Sequence, residues 1–157
     1  MAKPIYFFTK NDPYYELSNF SPYGFEEDGL YWPTVEHYFQ AQKFHDPEYR
    51  KRIRNAKSPK QAKALGQTRA IALRSDWEAV KEQVMKHALR RKFSHPKPRA
   101  ILLGTRRRTL IENSPYDRYW GCGRDGRGKN RLGHLLMEVR REIREEEAKQ
   151  KADGKAV

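Results

Sequence analysis

The chain has 157 residues and a formal net charge of +13, with 33 lysine and arginine residues. This length is sufficient for one domain with a hydrophobic core, and the 12% aromatic content argues against a disordered chain. The positive charge favours anionic partners such as nucleic acid or phosphorylated metabolites. No apolar run reaches membrane length, and the single Cys122 excludes a disulfide framework, so a reducing, cytoplasmic setting is expected.

The N-terminal part of the chain predicts a strand, a loop and a hairpin before the first helix. Residues 5–8 form an apolar run typical of a buried strand, and residues 17–22 have the composition of a loop. Residues 25–31 predict a hairpin with a glycine turn. Thr34 is suited to cap the helix that follows, and nothing in the sequence interrupts this helix before Pro47.

Four further helices are expected from their start signals. Each signal places a proline, serine or aspartate where a helix cap or first turn requires it. The signals are Asp46-Pro47, Ser58-Pro59, a capping box at residues 75–78, and Pro98. The second of these helices is expected to end at Gly66.

The C-terminal part predicts a short strand at residues 109–112, a glycine-rich loop and a last helix. Apolar residues at helical spacing mark the buried face of that helix: Leu132, Leu135, Leu136, Val139 and Ile143. The fold class is therefore mainly α with a few short β-strands. We expect one domain over residues 1–144 and a charged tail over residues 145–157 that frays.

One stripe of the first predicted helix carries an unusual set of polar groups. Glu36, Gln40 and Lys43 are spaced at i, i+4 and i+7, so they share one helix face. On an isolated helix this would be a solvated face with a loose ion pair. Three aromatic residues that prefer burial lie beside the stripe: Tyr31, Trp32 and Phe44. This setting favours a functional site that is shielded from open water.

A second candidate site is the glycine-rich loop at residues 119–130. Its glycines allow the backbone to approach a ligand closely, and its amides could hold a phosphate with the N-terminus of the last helix. Four basic residues add positive charge: Arg124, Arg127, Lys129 and Arg131. The glycine spacing also matches a dinucleotide fingerprint, but no strand–helix–strand unit surrounds it. A flexible basic surface loop is the alternative, which Trp120 disfavours.

The sequence gives no indication of a metal or cofactor. Its five histidines lack the spacing of metal ligands, and no cluster of carboxylates completes a site. Cys122 has no evident orienting partner, so we assign it no nucleophilic role. We therefore expect no metal and no cofactor.

The longest motifs resemble the YbiA/NADAR family. The resemblance is carried by residues 32–44, 17–20 and 120–133 together with the helix of Trp77, and it covers about residues 5–144. It implies a mainly α YbiA-like fold and N-glycosidase activity. Family members hydrolyse the N-glycosidic bond of phosphoribosylamino-pyrimidines, the first intermediates of riboflavin biosynthesis. Other members remove ADP-ribose from guanine in nucleic acid.

The resemblance also assigns roles to residues of this chain. Glu36 and Lys43 are implied as catalytic residues. The residues implied to bind substrate are Asn19, Phe20, Trp32, Tyr38, Gln40, Trp77, Trp120, Gly121, Asp125 and Asn130. Arg124, Lys129 and Arg131 are implied to bind phosphate. The chain departs from the family pattern at Leu17, where an aromatic is expected, and at Cys122, where an acid can occur.

The residues fit this chemistry in two ways. Cleavage builds positive charge at the anomeric carbon, which a carboxylate such as Glu36 stabilises, and the first turn of a helix favours its ionised form. Lys43 has two possible roles: it binds phosphate as a point charge, or it attacks the opened ribosylamine and forms a Schiff base.

Three functions remain open from the sequence. The first is an N-glycosidase acting on riboflavin intermediates, and the second is a hydrolase that removes ADP-ribose from guanine in DNA. The third is a basic nucleic-acid-binding module without catalysis. The sequence contains no nucleic-acid recognition motif, which argues against this third function. The expected partner is a small phosphoribosyl or ADP-ribosyl substrate, with nucleic acid possible and no membrane.

Overall fold

The computed structural model describes residues 2–155, which form six α-helices and four short strands. The strands are β1 (Ile5–Phe7), β2 (Phe25–Glu27), β3 (Leu30–Trp32) and β4 (Leu110–Glu112). The helices are α1 (Val35–Ala41), α2 (Pro47–Arg54), α3 (Pro59–Gly66), α4 (Trp77–Lys92), α5 (Pro96–Gly104) and α6 (Arg131–Lys155). A 3-10 turn covers Tyr15–Leu17. The predicted fold class, mainly α with a few short strands, is confirmed.

The chain divides into two compact units. The central unit is Asn19–Pro98, and the terminal unit combines the residues up to Ser18 with those from Arg99 onward. Helix α5 begins in the central unit and ends in the terminal unit. The single domain over residues 1–144 stays a prediction.

The central unit opens with the predicted hairpin. β2 and β3 pair antiparallel, with Phe25 opposite Trp32. Asp28 and Gly29 form the two-residue turn with positive φ angles of 55° and 75°. Such a turn matches the twist of the two strands, which explains an aspartate and a glycine at these positions.

Helix α1 is the centre of this unit, and all seven of its residues are buried. It packs against α2, α3 and α4. The Thr34 hydroxyl accepts a hydrogen bond from the His37 backbone N–H at 3.1 Å, so the predicted cap is confirmed. The caps predicted at Asp46 and Ser58 are likewise present at the starts of α2 and α3.

The prediction that the first helix continues to Pro47 is wrong. Helix α1 ends at Ala41, and Phe44 then forms a bridge with Leu73. The Lys43 carbonyl accepts from the Arg74 backbone N–H at 2.8 Å. These long-range bonds draw the chain out of the helix, so Lys43 lies in the turn after α1 rather than on the helix itself.

The capping box predicted at residues 75–78 is also absent. Asp76 stands at the cap position of α4 without a side-chain bond to the helix. Its carboxylate instead accepts from the Arg74 guanidinium at 2.6 Å and 3.0 Å. The predicted box needs Ser75 at the cap, but α4 begins at Trp77 with Asp76 at the cap. The Glu78 carboxylate accepts from Lys81 Nζ at 2.6 Å.

The terminal unit joins β1 and β4 as a parallel pair, with Ile5 opposite Leu110. The five apolar residues predicted to face the core from α6 are buried. Arg140, also buried on α6, donates to the Thr105 hydroxyl at 2.8 Å and to the Arg108 carbonyl at 2.9 Å. Helix α6 runs to Lys155, so the predicted tail is helical over most of its length, and its fraying stays a prediction.

Across residues 2–155, no helix combines the length and the apolar character that crossing a bilayer requires.

His37 is buried on α1 between the helix cap and the chain that follows α2. Its Nδ1 lies 2.8 Å from the Thr34 hydroxyl, and its Nε2 lies 3.0 Å from the Ala56 carbonyl oxygen. A carbonyl only accepts, so Nε2 carries the proton and Nδ1 accepts from the hydroxyl. Burial lowers the pKa of His37 below the ordinary 6.5, and the bond to Ala56 opposes this only in part.

Stability should therefore decline on the acid side of neutrality. The pKa of His37 is lower in the folded chain, so the unfolded chain takes up the proton first as the pH falls. The contribution of neutral His37 to the free energy of unfolding is complete above pH 6.5. It is lost as the pH drops from 6.5 through the pKa of His37 in the folded chain. Urea unfolding between about pH 5 and pH 8 measures this decline.

A matched pair of variants isolates His37 in this experiment. His37→Gln keeps a donor for Ala56 but cannot titrate, so most of the decline should disappear. His45→Gln, at an exposed histidine, should leave the decline unchanged. A decline of equal size in His37→Gln would contradict the assignment.

Candidate active site

Glu36 and Gln40 form the polar centre of α1. Glu36 is 6% exposed and Gln40 is 4% exposed, which confirms that this face is shielded from water. Gln40 lies one helical turn after Glu36, and its Nε2 donates to Glu36 Oε1 at 2.7 Å. Burying a carboxylate is costly unless hydrogen-bond donors replace water, and Gln40 supplies one such donor.

Lys43 lies half-buried in the turn after α1. Its Nζ is 3.4 Å from the Gly66 carbonyl oxygen and 6.0 Å from the centroid of the Phe39 ring. Burial lowers the pKa of Lys43 below 10.5, and the negative charge of Glu36 raises it in part. Glu36 and Lys43 therefore lie within electrostatic reach of each other, and Lys43 loses its proton more readily than a free lysine.

Phe39 connects this lysine to Trp77. The centroids of the Phe39 and Trp77 rings are 5.0 Å apart, with the planes inclined at 58°. Trp77 is the buried first residue of α4, so its ring supports Phe39 from within the core. Its contact with substrate stays a prediction.

A second aromatic cluster surrounds Tyr38. Its ring meets Trp32 edge-on at 5.3 Å and Phe25 at 5.4 Å, and burial raises the pKa of Tyr38 to about 12. The Trp32 indole N–H is buried without a hydrogen-bond partner among residues 2–155. Burial of Tyr31 is a wrong expectation: side chains alternate along β3, so Trp32 points inward and Tyr31 is exposed. The substrate roles of Trp32 and Tyr38 stay predictions.

Asn19 lies in the loop before the hairpin and contacts the start of α1. Its carbonyl oxygen accepts from the Glu36 backbone N–H at 3.2 Å, and its Nδ2 is 3.4 Å from Met85 Sδ. Its buried Oδ1 has no hydrogen-bond partner in the part of the chain that the structure describes. This acceptor fits the predicted role of Asn19 in ligand binding, which no contact tests. Phe20 is half-buried, and its role also stays a prediction.

The glycine-rich loop of the terminal unit is tied to β4 by Asn130. Its Oδ1 accepts from the Glu112 backbone N–H at 3.0 Å, and its Nδ2 donates to the Leu110 carbonyl at 2.9 Å. Its backbone is left-handed, with φ 49°, and its N–H donates to the Gly121 carbonyl at 3.0 Å. Asn130 thus has a structural role that sequence reasoning did not foresee.

The charged side chains of this loop lie mostly at its surface. The exposed ones include Arg124, Asp125 and Lys129. Asp125 Oδ1 accepts from the Arg127 backbone N–H at 3.0 Å and from the Arg118 guanidinium at 2.7 Å, and these two bonds lower the pKa of Asp125. Arg131 is half-buried as the first residue of α6. The binding roles of these residues stay predictions.

Trp120 and Gly121 lie at the base of the same loop. The Trp120 backbone N–H donates to Asp117 Oδ1 at 2.7 Å, and its half-buried ring meets Tyr119 edge-on at 4.8 Å. A cavity of about 450 Å³ lies beside the loop. Its lining includes Tyr6, Ile111, Cys122, Arg124, Gly126 and His134. The proposed contacts of Trp120 and Gly121 with substrate stay predictions.

Gly66 is a site residue that sequence reasoning missed. It was predicted only as the end of α3, yet its carbonyl accepts from Lys43 and its Cα faces the Gln40 amide. No local pattern could reveal this, because Lys43 and Gly66 are 23 residues apart.

Within residues 2–155, no group of three or more histidine, cysteine, aspartate or glutamate side chains is placed to hold a metal ion. The candidate site on α1 and the turn after it brings together a carboxylate, a carboxamide and an amine.

A protein-family model matches most of this chain and identifies its family. The family model described as the NADAR domain matches residues 6–144. The chain therefore belongs to the NADAR domain family, and the resemblance carried by residues 32–44 and 120–133 is confirmed.

Similar proteins share about half of their residues with this chain. N-glycosidase YbiA of Escherichia coli K12 is 51% identical over 140 residues, which cover 88% of each chain. The NMR structure of E. coli YbiA superposes with a TM-score of 0.86 at 49% identity, covering 93% of this chain and 88% of that one. The chloroplastic riboflavin biosynthesis protein PYRR of Zea mays is 44% identical over 88% of this chain and 25% of its own length.

Removal of the Asn130 side chain should destabilise the terminal unit. Asn130→Ala loses two hydrogen bonds. It also places alanine, whose side chain cannot bond to the local backbone, in a left-handed conformation. We therefore expect the free energy of unfolding to fall by about 2 to 4 kcal/mol. Asn130→Gly loses the same bonds but tolerates the backbone, so its loss should be smaller by about 1 kcal/mol. Urea unfolding measures both, and a wild-type stability of Asn130→Ala would refute the structural role.

Proposed function

We propose that this chain is an N-glycosidase that hydrolyses the C1′–N bond of phosphoribosylamino-pyrimidines, the first intermediates of riboflavin biosynthesis. The names of two relatives support the proposal, an N-glycosidase at 51% identity and a riboflavin biosynthesis protein at 44% identity. The observation that carries it is the Glu36 carboxylate, which lies on a helix without an exposed residue and is held by Gln40.

Glu36 supplies negative charge where the reaction develops positive charge. Opening of the sugar ring makes C1′ the carbon of a protonated imine, whose positive charge a fixed carboxylate stabilises strongly in a site with little water. Its place in the first turn of α1 favours the ionised form. Glu36 then accepts a proton from the attacking water, while the bond from Gln40 keeps the carboxylate oriented.

Lys43 supplies the amine that receives the sugar. Ring opening converts the ribosylamine to an imine at C1′, and O4′ takes up a proton. The neutral Nζ adds to C1′, the base leaves as a free amine with both Nζ protons, and Lys43 holds C1′ as a new imine. Water hydrolyses this imine, releases the sugar phosphate as an aldehyde and restores the amine. The lowered pKa of Lys43 favours this route over simple phosphate binding.

The charge of the chain supports a second candidate. Removal of ADP-ribose from guanine in DNA also breaks an N-glycosidic bond, and a net charge of +13 favours a nucleic-acid substrate. Helix α2 contributes four cations to this charge, Arg50, Lys51, Arg52 and Arg54. A binding module without catalysis is disfavoured, because a buried Glu36 does nothing to bind phosphate.

Glu36→Gln should separate the three functions. Wild type and variant are each given a phosphoribosylamino-pyrimidine and an ADP-ribosylated guanine oligonucleotide, and mass spectrometry detects the released base and sugar. We expect the wild type to prefer the pyrimidine. We expect Glu36→Gln to lose at least about 100-fold in kcat, with its melting temperature little changed because glutamine has the same shape.

The control is Glu48→Gln, which removes an exposed glutamate from the first turn of α2 and should leave kcat unchanged. Preferential cleavage of the oligonucleotide would replace the metabolite by ADP-ribosylated guanine as the substrate. If wild type and Glu36→Gln both bind nucleic acid and neither shows turnover, the enzymatic assignment is refuted.

Borohydride should trap the sugar on Lys43 during turnover. It reduces the imine to a stable secondary amine, so the peptide that contains Lys43 should gain the mass of the reduced sugar phosphate. Lys43→Arg keeps the positive charge but cannot form the imine, and it should give neither adduct nor turnover. Lys60→Arg, at an exposed lysine, should give both. Normal turnover of Lys43→Arg without an adduct would leave Lys43 only the phosphate-binding role.

A further inference from the structure

Gly66 is the last residue of α3, and it leaves room for the amide of Gln40. A Cβ built on Gly66 would lie 1.9 Å from Gln40 Oε1, 2.7 Å from its Cδ and 2.9 Å from its Cβ. Atoms do not approach this closely, so the Gln40 amide occupies the volume that any side chain at position 66 would fill.

The backbone of Gly66 does not itself require glycine. The glycines with positive φ among residues 2–155 are Gly29, Gly123 and Gly126. Alanine could therefore adopt the conformation of Gly66 without strain. What matters at this position is the absence of a side chain and not the freedom of the backbone.

The same residue contacts the amine through its carbonyl oxygen, which lies 3.4 Å from Lys43 Nζ. Carbonyls in the last turn of a helix have no partner within the helix and carry partial negative charge. The end of α3 thus offers Lys43 an acceptor at a fixed place.

Gly66 therefore stands between the two reactive groups. On one side it borders the amide that donates to Glu36 at 2.7 Å, and on the other it accepts from the ammonium of Lys43. The Gln40 Oε1 has no hydrogen-bond partner among residues 2–155, so packing on Gly66 and the bond to Glu36 hold the amide in place.

We propose that Gly66 is a positioning residue for the reaction, because it fixes the Gln40 amide that orients Glu36 and also fixes the amine of Lys43. The effect of Gly66 on catalysis rests on the proposed N-glycosidase function. Its contacts with Gln40 and Lys43 do not, because both contacts exist without substrate.

Gly66→Ala tests the proposal together with Gln40→Ala and the double variant. The added methyl displaces the Gln40 amide, so Gly66→Ala should lose at least about 10-fold in kcat, with KM changed less than about 3-fold. The double variant should lose less kcat than the product of the two single losses, because no amide remains to be displaced and only the Cβ of residue 40, 2.9 Å from the new methyl, still opposes it. The control is Gly104→Ala, at the last residue of α5, where a Cβ meets nothing within 4 Å and kcat should not change.

An NMR titration of Lys43 without substrate provides a readout that is independent of activity. The clash of the new methyl with Gln40 also pushes the end of α3 away and moves the Gly66 carbonyl from the ammonium, so the pKa of Lys43 should fall in Gly66→Ala and stay unchanged in Gly104→Ala. A wild type without glycosidase activity would refute the proposed function, and this titration would still test the positioning role.

Two results would overturn the positioning role. One is wild-type kcat and an unchanged pKa of Lys43 in Gly66→Ala. The other is a double variant whose kcat loss is the product of the two single losses, because independent packing defects multiply. If Gly66→Ala does not fold, the double variant is compared with Gln40→Ala: a lower pKa of Lys43 supports the role, and an unchanged pKa overturns it.

Discussion

The constraint on which the site depends is the complete burial of α1. A helix without an exposed residue normally carries apolar side chains all round, yet α1 carries Glu36, His37 and Gln40. Each polar group must then find a partner inside the protein. His37 is bonded to the Thr34 hydroxyl and the Ala56 carbonyl, and Gln40 donates to Glu36. The helix is therefore held in one orientation by its polar residues as well as by its packing.

This burial explains why the acid and the amine differ from their counterparts at a surface. Water would screen Glu36 and would keep Lys43 fully protonated. In the buried turn, the pKa of Lys43 is lowered by desolvation, and the nearby carboxylate raises it only in part. One environment thus holds a buried carboxylate near an amine that loses its proton more readily than a free lysine. Both groups lie in a segment of eight residues, 36–43.

Sequence reasoning succeeded where the determining contacts are local. The caps at Thr34, Asp46 and Ser58 follow from bonds to amides three residues ahead, and the shared face of Glu36 and Gln40 follows from helical spacing.

Sequence reasoning failed where contacts between residues far apart in the chain determine the structure. The bridge from Phe44 to Leu73 ends α1 early, and Gly66 reaches the site only through the packing of α3 on α1. At α4 the predicted capping box is wrong because the helix begins one residue later than its pattern requires, with Asp76 and not Ser75 at the cap.

The pairing of β1 with β4 has a consequence for folding during synthesis on the ribosome. Ile5 finds its partner Leu110 only after more than a hundred further residues have been made, which takes about 5 to 20 seconds at ordinary translation speeds. Meanwhile Asn19–Pro98 emerges as a compact unit and can condense first. Until β4 has been made, β1 lacks its pairing partner, so the terminal unit can complete its fold only after the central unit.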